Sequence, residues 1–239
     1  MDESNMTLAV DWDWRDLTGR YWSEKFRGCR GYWDASSREF WTRGGNIIPV
    51  PKHWRRFMPS VDVDGEIWAG HCQVETVASV AVRTGKWSPK IVFKVFDAPQ
   101  ADGDWAQRMA EAHRIVKGLS FALPVEFGIV GRGEDPSAIA ARIIAGGGEG
   151  AIFRTPGVCR YQQQRTVNLM RVKEGNLYAP WRQASEGRRR RHEIRQAMAQ
   201  TRPVVGLDVR LFPFEPEIDW NIRQLLGDTT TDFSAATKF

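Results

Sequence analysis

Lys25, inside Glu24-Lys25-Phe26-Arg27-Gly28-Cys29-Arg30, is the residue whose setting first suggests chemistry. Downstream stand, in order, Thr42-Arg43-Gly44, Asp64-Gly65-Glu66, Val95-Phe96-Asp97, Glu149-Gly150-Ala151-Ile152-Phe153-Arg154 and Met170-Arg171-Val172-Lys173. A protonated lysine is a poor nucleophile. One that attacks phosphorus needs a pKa lowered by burial or by neighbouring cations, and a leaving group in line. Attack at the alpha phosphorus of a nucleoside triphosphate expels pyrophosphate and leaves a phosphoramidate, with Mg2+ and basic side chains neutralising the transition state. Such chemistry requires cations and carboxylates from distant strands to converge on one lysine. No single element suffices, because a Lys-x-x-Gly arises by chance about once in a chain of this size. Order and spacing of the whole series carry the inference.

The elements that must do this positioning are legible in outline. Short strand-like stretches broken by Gly, Pro and Asp run from Tyr21 to Phe96, around 30–34, 40–42, 61–69 and 90–96, and read as antiparallel sheet. Trp105, Met109, Ala112, Ile115 and Val116 fall at helical spacing behind Asp104 as N-cap, which predicts a core-packed helix over 104–117. A strand is expected over 124–130. Asp135-Pro136 then opens a helix that Gly146-Gly147-Gly148 closes; the triple glycine matches neither G-x-G-x-x-G nor a P-loop. Strands over 149–154 and 166–173 follow, and the character of the chain changes near Tyr178.

Composition bounds the class. The chain has 239 residues, 42% hydrophobic, with 11 tryptophans, enough for a packed core and against a disordered polymer. Length predicts one substantial domain plus an appendage. The formal charge of +5 has its excess late, where Arg188-Arg189-Arg190-Arg191 follows Arg182, and this suits a polyanionic partner. The alternative for such a run is a solvated helix face. Cys29, Cys72 and Cys159 are odd in number and widely spaced, which argues against a disulfide framework or a structural zinc site. An acidic, polar amino terminus and the lack of a long apolar run predict a soluble cytoplasmic protein, cellular or viral, with no membrane partner.

Tyr21-Trp22-Ser23-Glu24-Lys25, Gly31-Tyr32-Trp33-Asp34, Thr42-Arg43-Gly44-Gly45-Asn46 and Asp64-Gly65-Glu66-Ile67-Trp68-Ala69-Gly70 together resemble the minimal ATP-dependent DNA ligases of bacteria and phages, over roughly residues 15 to 175. The resemblance implies an α+β fold: a covalent nucleotidyltransferase (adenylation) domain, ATP-grasp-like, of antiparallel sheets flanked by helices, over 1–178. It also implies site roles. Lys25 would be the adenylated nucleophile, with Arg171 and Lys173 contacting the alpha phosphate. Glu24, Arg30 and Arg43 would hold the nucleotide, Glu66 would take a ribose hydroxyl and Phe96 would stack on adenine. Glu149 would bind Mg2+ or Mn2+.

Two departures from the family pattern stand out. Its first motif reads Lys-x-Asp-Gly-x-Arg, and here Arg27 occupies the acidic position. A cation there would attract phosphate, whether of nucleotide or DNA, but cannot do what a carboxylate does at the nick. Second, about 60 residues follow the last motif, which is tight for a five-stranded OB barrel. Residues 179–239 are therefore expected to form a basic extension with a reduced or absent OB fold, in which Arg188, Arg189, Arg190 and Arg191 supply salt-sensitive phosphate contacts. The expected partner is nicked duplex DNA, bound by a monomer, with a protein partner able to supply the missing clamp. Two other readings keep the same residues: an RNA ligase or GTP-using capping-type enzyme, and a ligase-derived module that binds nucleic acid without sealing.

Overall fold

The computed structural model describes residues 6–71 and 76–177. Along the chain run β1 (Leu8–Asp11), β2 (Tyr21–Lys25), β3 (Cys29–Asp34), β4 (Glu39–Trp41), β5 (Ile47–Ile48), α1 (Lys52–Phe57), β6 (Val63–Trp68), α2 (Thr76–Thr84), β7 (Val92–Asp97), α3 (Trp105–Val116), β8 (Ala122–Pro124), β9 (Phe127–Ile129), α4 (Pro136–Ala145), β10 (Gly150–Arg154) and β11 (Arg165–Lys173). Two sheets result. Sheet A has the order β1-β11-β10-β2-β9 and sheet B the order β5-β4-β3-β6-β7-β8. All of sheet B is thus an insertion between β2 and β9 of sheet A.

The sheets are mixed rather than antiparallel throughout, which corrects the expectation from sequence. β1 pairs parallel with β11, and β7 parallel with β8. A parallel pair needs a long crossover, and α3 provides it between β7 and β8. The strand expected over 124–130 is also corrected. β8 and β9 are separate and belong to opposite sheets, and Pro124, with no N–H to donate, closes the first of them.

Both predicted helices form for the reasons visible in sequence. Asp104 accepts from the N–H groups of Ala106 and Gln107 while the Gln107 side chain accepts from the Asp104 N–H, a complete capping box. Trp105, Met109, Ala112 and Val116 are buried. Asp135 caps α4 through the Ser137 N–H at 2.8 Å, with Pro136 in the first turn and Gly146 at the end.

Period-two alternation sets the two faces of each central strand. In sheet B, Val63 and Ile67 of β6 and Phe93 and Val95 of β7 turn to a core shared with Trp33, Phe40, Trp54 and helices α1 to α3. In sheet A, Ala151 and Phe153 of β10 and Met170 and Val172 of β11 pack with Ile139 and Ile144 of α4 in a second core. The alternate residues of both sheets border a cleft between them. The boundary expected near 178, the basic extension of 179–239 and Arg188, Arg189, Arg190 and Arg191 lie outside the described residues. Among the described residues, no helix is long and apolar enough to cross a membrane.

Candidate functional site

The cleft has a volume of about 560 Å³, and residues from both sheets line it. Sheet A contributes Lys25 from the end of β2, Ile152 and Arg154 from β10, and Leu169 and Arg171 from β11. Cross-strand register places Lys25 and Lys173 on either side of Gly150, one row of the sheet, and Ser23 and Arg171 on either side of Ile152, the next. Gly150 has φ +147, a conformation open to glycine, and a Cβ there would stand 2.1 Å from the Val172 carbonyl oxygen. The row between the two lysines therefore holds no side chain.

Lys25 Nζ lies 2.6 Å from Glu149 Oε2, with the two side chains 24% and 21% exposed, so the pair is accessible from the cleft mouth. Arg171 is held by Asp11 of the neighbouring parallel strand, Nε to Oδ1 at 2.6 Å. That hydrogen bond lowers the Asp11 pKa and raises that of Arg171. Lys173 sits in the same row as the nucleophile candidate, and its backbone N–H donates to Asn176 Oδ1 at 2.6 Å.

Sheet B forms the facing wall. Arg30 makes a bidentate ion pair with the wholly buried Asp64 (2.7 and 2.5 Å), and its guanidinium lies 4.8 Å from the centroid of Phe96. Burial pulls the Arg30 pKa down, but the Asp64 carboxylate outweighs it and the net shift is upward. Glu66 accepts from the Gly28 N–H at 3.1 Å. Burial raises its pKa to about 7, against the opposing pull of Arg30 and Lys25. The exposed Arg43 borders the mouth from the turn between β4 and β5. Glu24 borders the cleft too, with Oε1 2.6 Å from His71 Nε2, and the His71 ring meets Trp68 edge-on at 5.1 Å.

Lys25, Glu24, Arg30, Arg43, Glu66, Phe96 and Arg171 thus border one cleft, with Glu149 in contact with Lys25 and Lys173 in the adjoining register. Arg27 is exposed on the crossing between β2 and β3 and is not among the residues that line it.

Sequence reasoning missed three groups. Arg154 is buried, donates to Ser23 Oγ at 2.8 Å and lies 4.1 Å from the Trp105 ring. Burial lowers its pKa to about 9, and among the described residues no carboxylate stands within ion-pair distance. Its position was recoverable, since alternation from Ile152 puts it on the same face. Asp97 and Arg108 form a buried pair at 2.7 Å, in which burial pushes the Asp97 pKa upward. Tyr161 reaches in from the connection between β10 and β11, 2.5 Å from Asp64; no local pattern foretells that reach.

Among the described residues no group of three His, Cys, Asp or Glu side chains is placed to hold a metal ion. Mg2+ in nucleotide sites is held by one or two carboxylates, with phosphate oxygens and water completing the shell. Glu149 beside Lys25 fits that donor set.

Two sheets enclosing a lysine-bearing cleft, with an aromatic, a carboxylate and an arginine on the facing wall, define a nucleotidyltransferase type of architecture. The comparisons narrow it: the described domain has the fold of the adenylation domains of ATP-dependent DNA ligases, and the chain resembles those proteins in sequence as well. No family model matches. A DNA ligase of Haemophilus influenzae is 25% identical over 174 residues, a match covering 71% of this chain and 63% of that relative. The chain therefore spans less than two thirds of that relative's length. Among solved structures, a Lig E DNA ligase, described as binding DNA with a minimal scaffold, superposes with a TM-score of 0.62 at 23% identity over 71% of this chain and 68% of its own. The Chlorella virus DNA ligase-adenylate gives 0.60 at 16% identity, covering 71% and 67%. The ATP-dependent DNA ligase of bacteriophage T7, in complex with ATP, gives 0.56 at 15% identity, covering 71% and 68%.

Proposed function

We propose that this chain is an ATP-dependent DNA ligase that seals nicks in duplex DNA through a lysyl-AMP intermediate. The observation that carries the reading is the placement of Lys25 Nζ beside Glu149, across a single cleft from Phe96, Arg30 and Glu66, in a domain with the ligase fold. In the free cleft Glu149 orients the amine. The Lys25 amine attacks the alpha phosphorus of ATP, the N–P bond forms as the P–O bond to pyrophosphate breaks, pyrophosphate leaves, and the protons shed by the amine pass to solvent. AMP then passes to the 5' phosphate of the nick, and the 3' hydroxyl attacks that phosphate, releasing AMP. Lys173 and Arg171 flank the nucleophile and bring positive charge to the phosphate oxygens. Phe96 offers its ring to adenine, a contact worth about 1 to 3 kcal/mol for stacked bases. Arg30, Arg43 and Glu66 receive the ribose side of the nucleotide, and Glu24 flanks it.

Glu149 is the side chain that would hold Mg2+ or Mn2+ together with the phosphates, and the ion when bound supplies Lewis-acid neutralisation of the triphosphate. In this reading Arg27, exposed at the crossing, contacts DNA phosphates, and Arg188, Arg189, Arg190 and Arg191, which lie outside the described residues, add positive charge for the same polyanion.

Incubation with labelled ATP and Mg2+ or Mn2+ tests the proposal. The wild-type chain should take up a covalent, acid-labile label that Lys25→Ala abolishes, and should seal nicked duplex DNA. A wild-type chain that stays unlabelled with either ion sinks it. Labelling by GTP in preference to ATP, or sealing of nicked RNA alone, would move the activity to a capping-type enzyme or an RNA ligase. DNA binding without label would leave a binding module.

A further inference from the structure

The connection over residues 155–164 joins two strands of sheet A, yet its anchors lie across the cleft. The Gly157 N–H donates to Asp104 Oδ2 at 3.1 Å, Arg108 Nη1 donates to the Val158 carbonyl at 3.4 Å, and the Tyr161 hydroxyl donates to Asp64 Oδ2 at 2.5 Å. The same hydroxyl accepts from the Thr7 N–H at 3.1 Å and from Arg30 Nη2 at 3.4 Å. A tyrosine hydroxyl has one proton to give and two lone pairs, so the junction uses its full capacity. Burial and the Asp64 carboxylate hold the phenol well above its ordinary pKa, and it stays a donor at every working pH.

We propose that Tyr161 is a positioning residue for the nucleotide, acting through Asp64 to fix the Arg30 guanidinium against Phe96. This rests on the ligase reading, in which Arg30 and Phe96 receive ribose and adenine. Asp64 is fully buried, and its only described side-chain donors are Arg30 and Tyr161. Without the phenol, one buried carboxylate oxygen loses a donor and the guanidinium loses one of the struts that set its plane. Lys25 stands on the other wall and takes no part in the junction. Loss of the hydroxyl should therefore weaken nucleotide binding and leave the attack itself intact.

The test measures the rate of label uptake against ATP concentration. Tyr161→Phe keeps the ring and should raise the KM for ATP about tenfold while kcat for adenylation stays within about twofold. In an Arg30→Ala background the same change should have no further effect on KM, because the partner through which it acts is gone. An unchanged KM in Tyr161→Phe, effects that add in the double variant, or a Tyr161→Phe chain whose circular dichroism shows it unfolded would each overturn the proposal while the ligase reading stands. An unlabelled wild-type chain removes both.

Discussion

Replacing Glu66 by glutamine should stabilise the domain at alkaline pH while it costs nucleotide affinity. Glu66 sits on the cleft face of β6, and burial raises its carboxyl from an ordinary 4.5 to about 7. A carboxyl whose pKa is higher in the folded than in the unfolded chain contributes stability that is fully present below about pH 4.5. That stability is lost as pH rises through about 7. At about 1.4 kcal/mol per pKa unit, the ionised side chain costs on the order of 3 kcal/mol by pH 8. For a domain of this size about 1 kcal/mol moves the melting temperature by about 2 to 4 °C, so Glu66→Gln should melt roughly 6 to 12 °C above wild type at pH 8. The gap should shrink to roughly 2 to 4 °C at pH 5, where wild-type Glu66 is protonated in the folded state and has given up only about 1 kcal/mol. Glutamine retains an oxygen for the Gly28 N–H, which donates to Glu66 at 3.1 Å, so the crossing is not itself disturbed. Calorimetric scans of both proteins at the two pH values provide the comparison. A gap that is independent of pH, or a glutamine variant that melts lower at pH 8, would refute the assignment of the strain to a buried carboxylate.

Gly150→Ala should destabilise the chain by about 3 kcal/mol or more, read from the denaturant midpoint, because the new Cβ meets the Val172 carbonyl in a conformation reserved for glycine. Arg27→Asp should weaken binding to nicked duplex and make the plot of log affinity against log salt shallower by about one unit, the signature of one lost phosphate contact. A slope identical to wild type would place Arg27 away from the DNA.

What was legible in the sequence is what local chemistry decides. Asp104 and the spacing of Trp105, Met109 and Ala112 fix α3 without help from elsewhere, and Asp135-Pro136 does the same for α4. Alternation in Val63 to Trp68 and Val92 to Asp97 reveals half-buried strands and puts Asp64, Glu66 and Phe96 on one side. What escaped depends on partners remote in the chain. β1 is a strand because β11 accepts it as a parallel neighbour. Helix α1 has six residues and buries Trp54 alone, too few for a period to show, and it is held by Trp54 stacking on Phe121 at 5.0 Å. The strand expected over 124–130 is two pieces in opposite sheets: Pro124 closes the first, and which sheet each piece joins is decided by partners remote in the chain. In the site, it is the resemblance of the motif series to ATP-dependent DNA ligases that points to Lys25, Glu149 and the facing wall. The engagement of Arg171 by Asp11, the His71 contact to Glu24 and the Tyr161 junction all come from tertiary placement.

The insertion of sheet B between β2 and β9 has a mechanical consequence. The strands of one sheet lead directly into those of the other only twice within the described residues, at 26–28 and at 125–126. The first of these crossings begins at the residue after Lys25 and carries Gly28, whose N–H is tied to Glu66. Lys25 is therefore tethered to both walls: through its own strand to sheet A and, three residues on, through the Gly28–Glu66 hydrogen bond to sheet B.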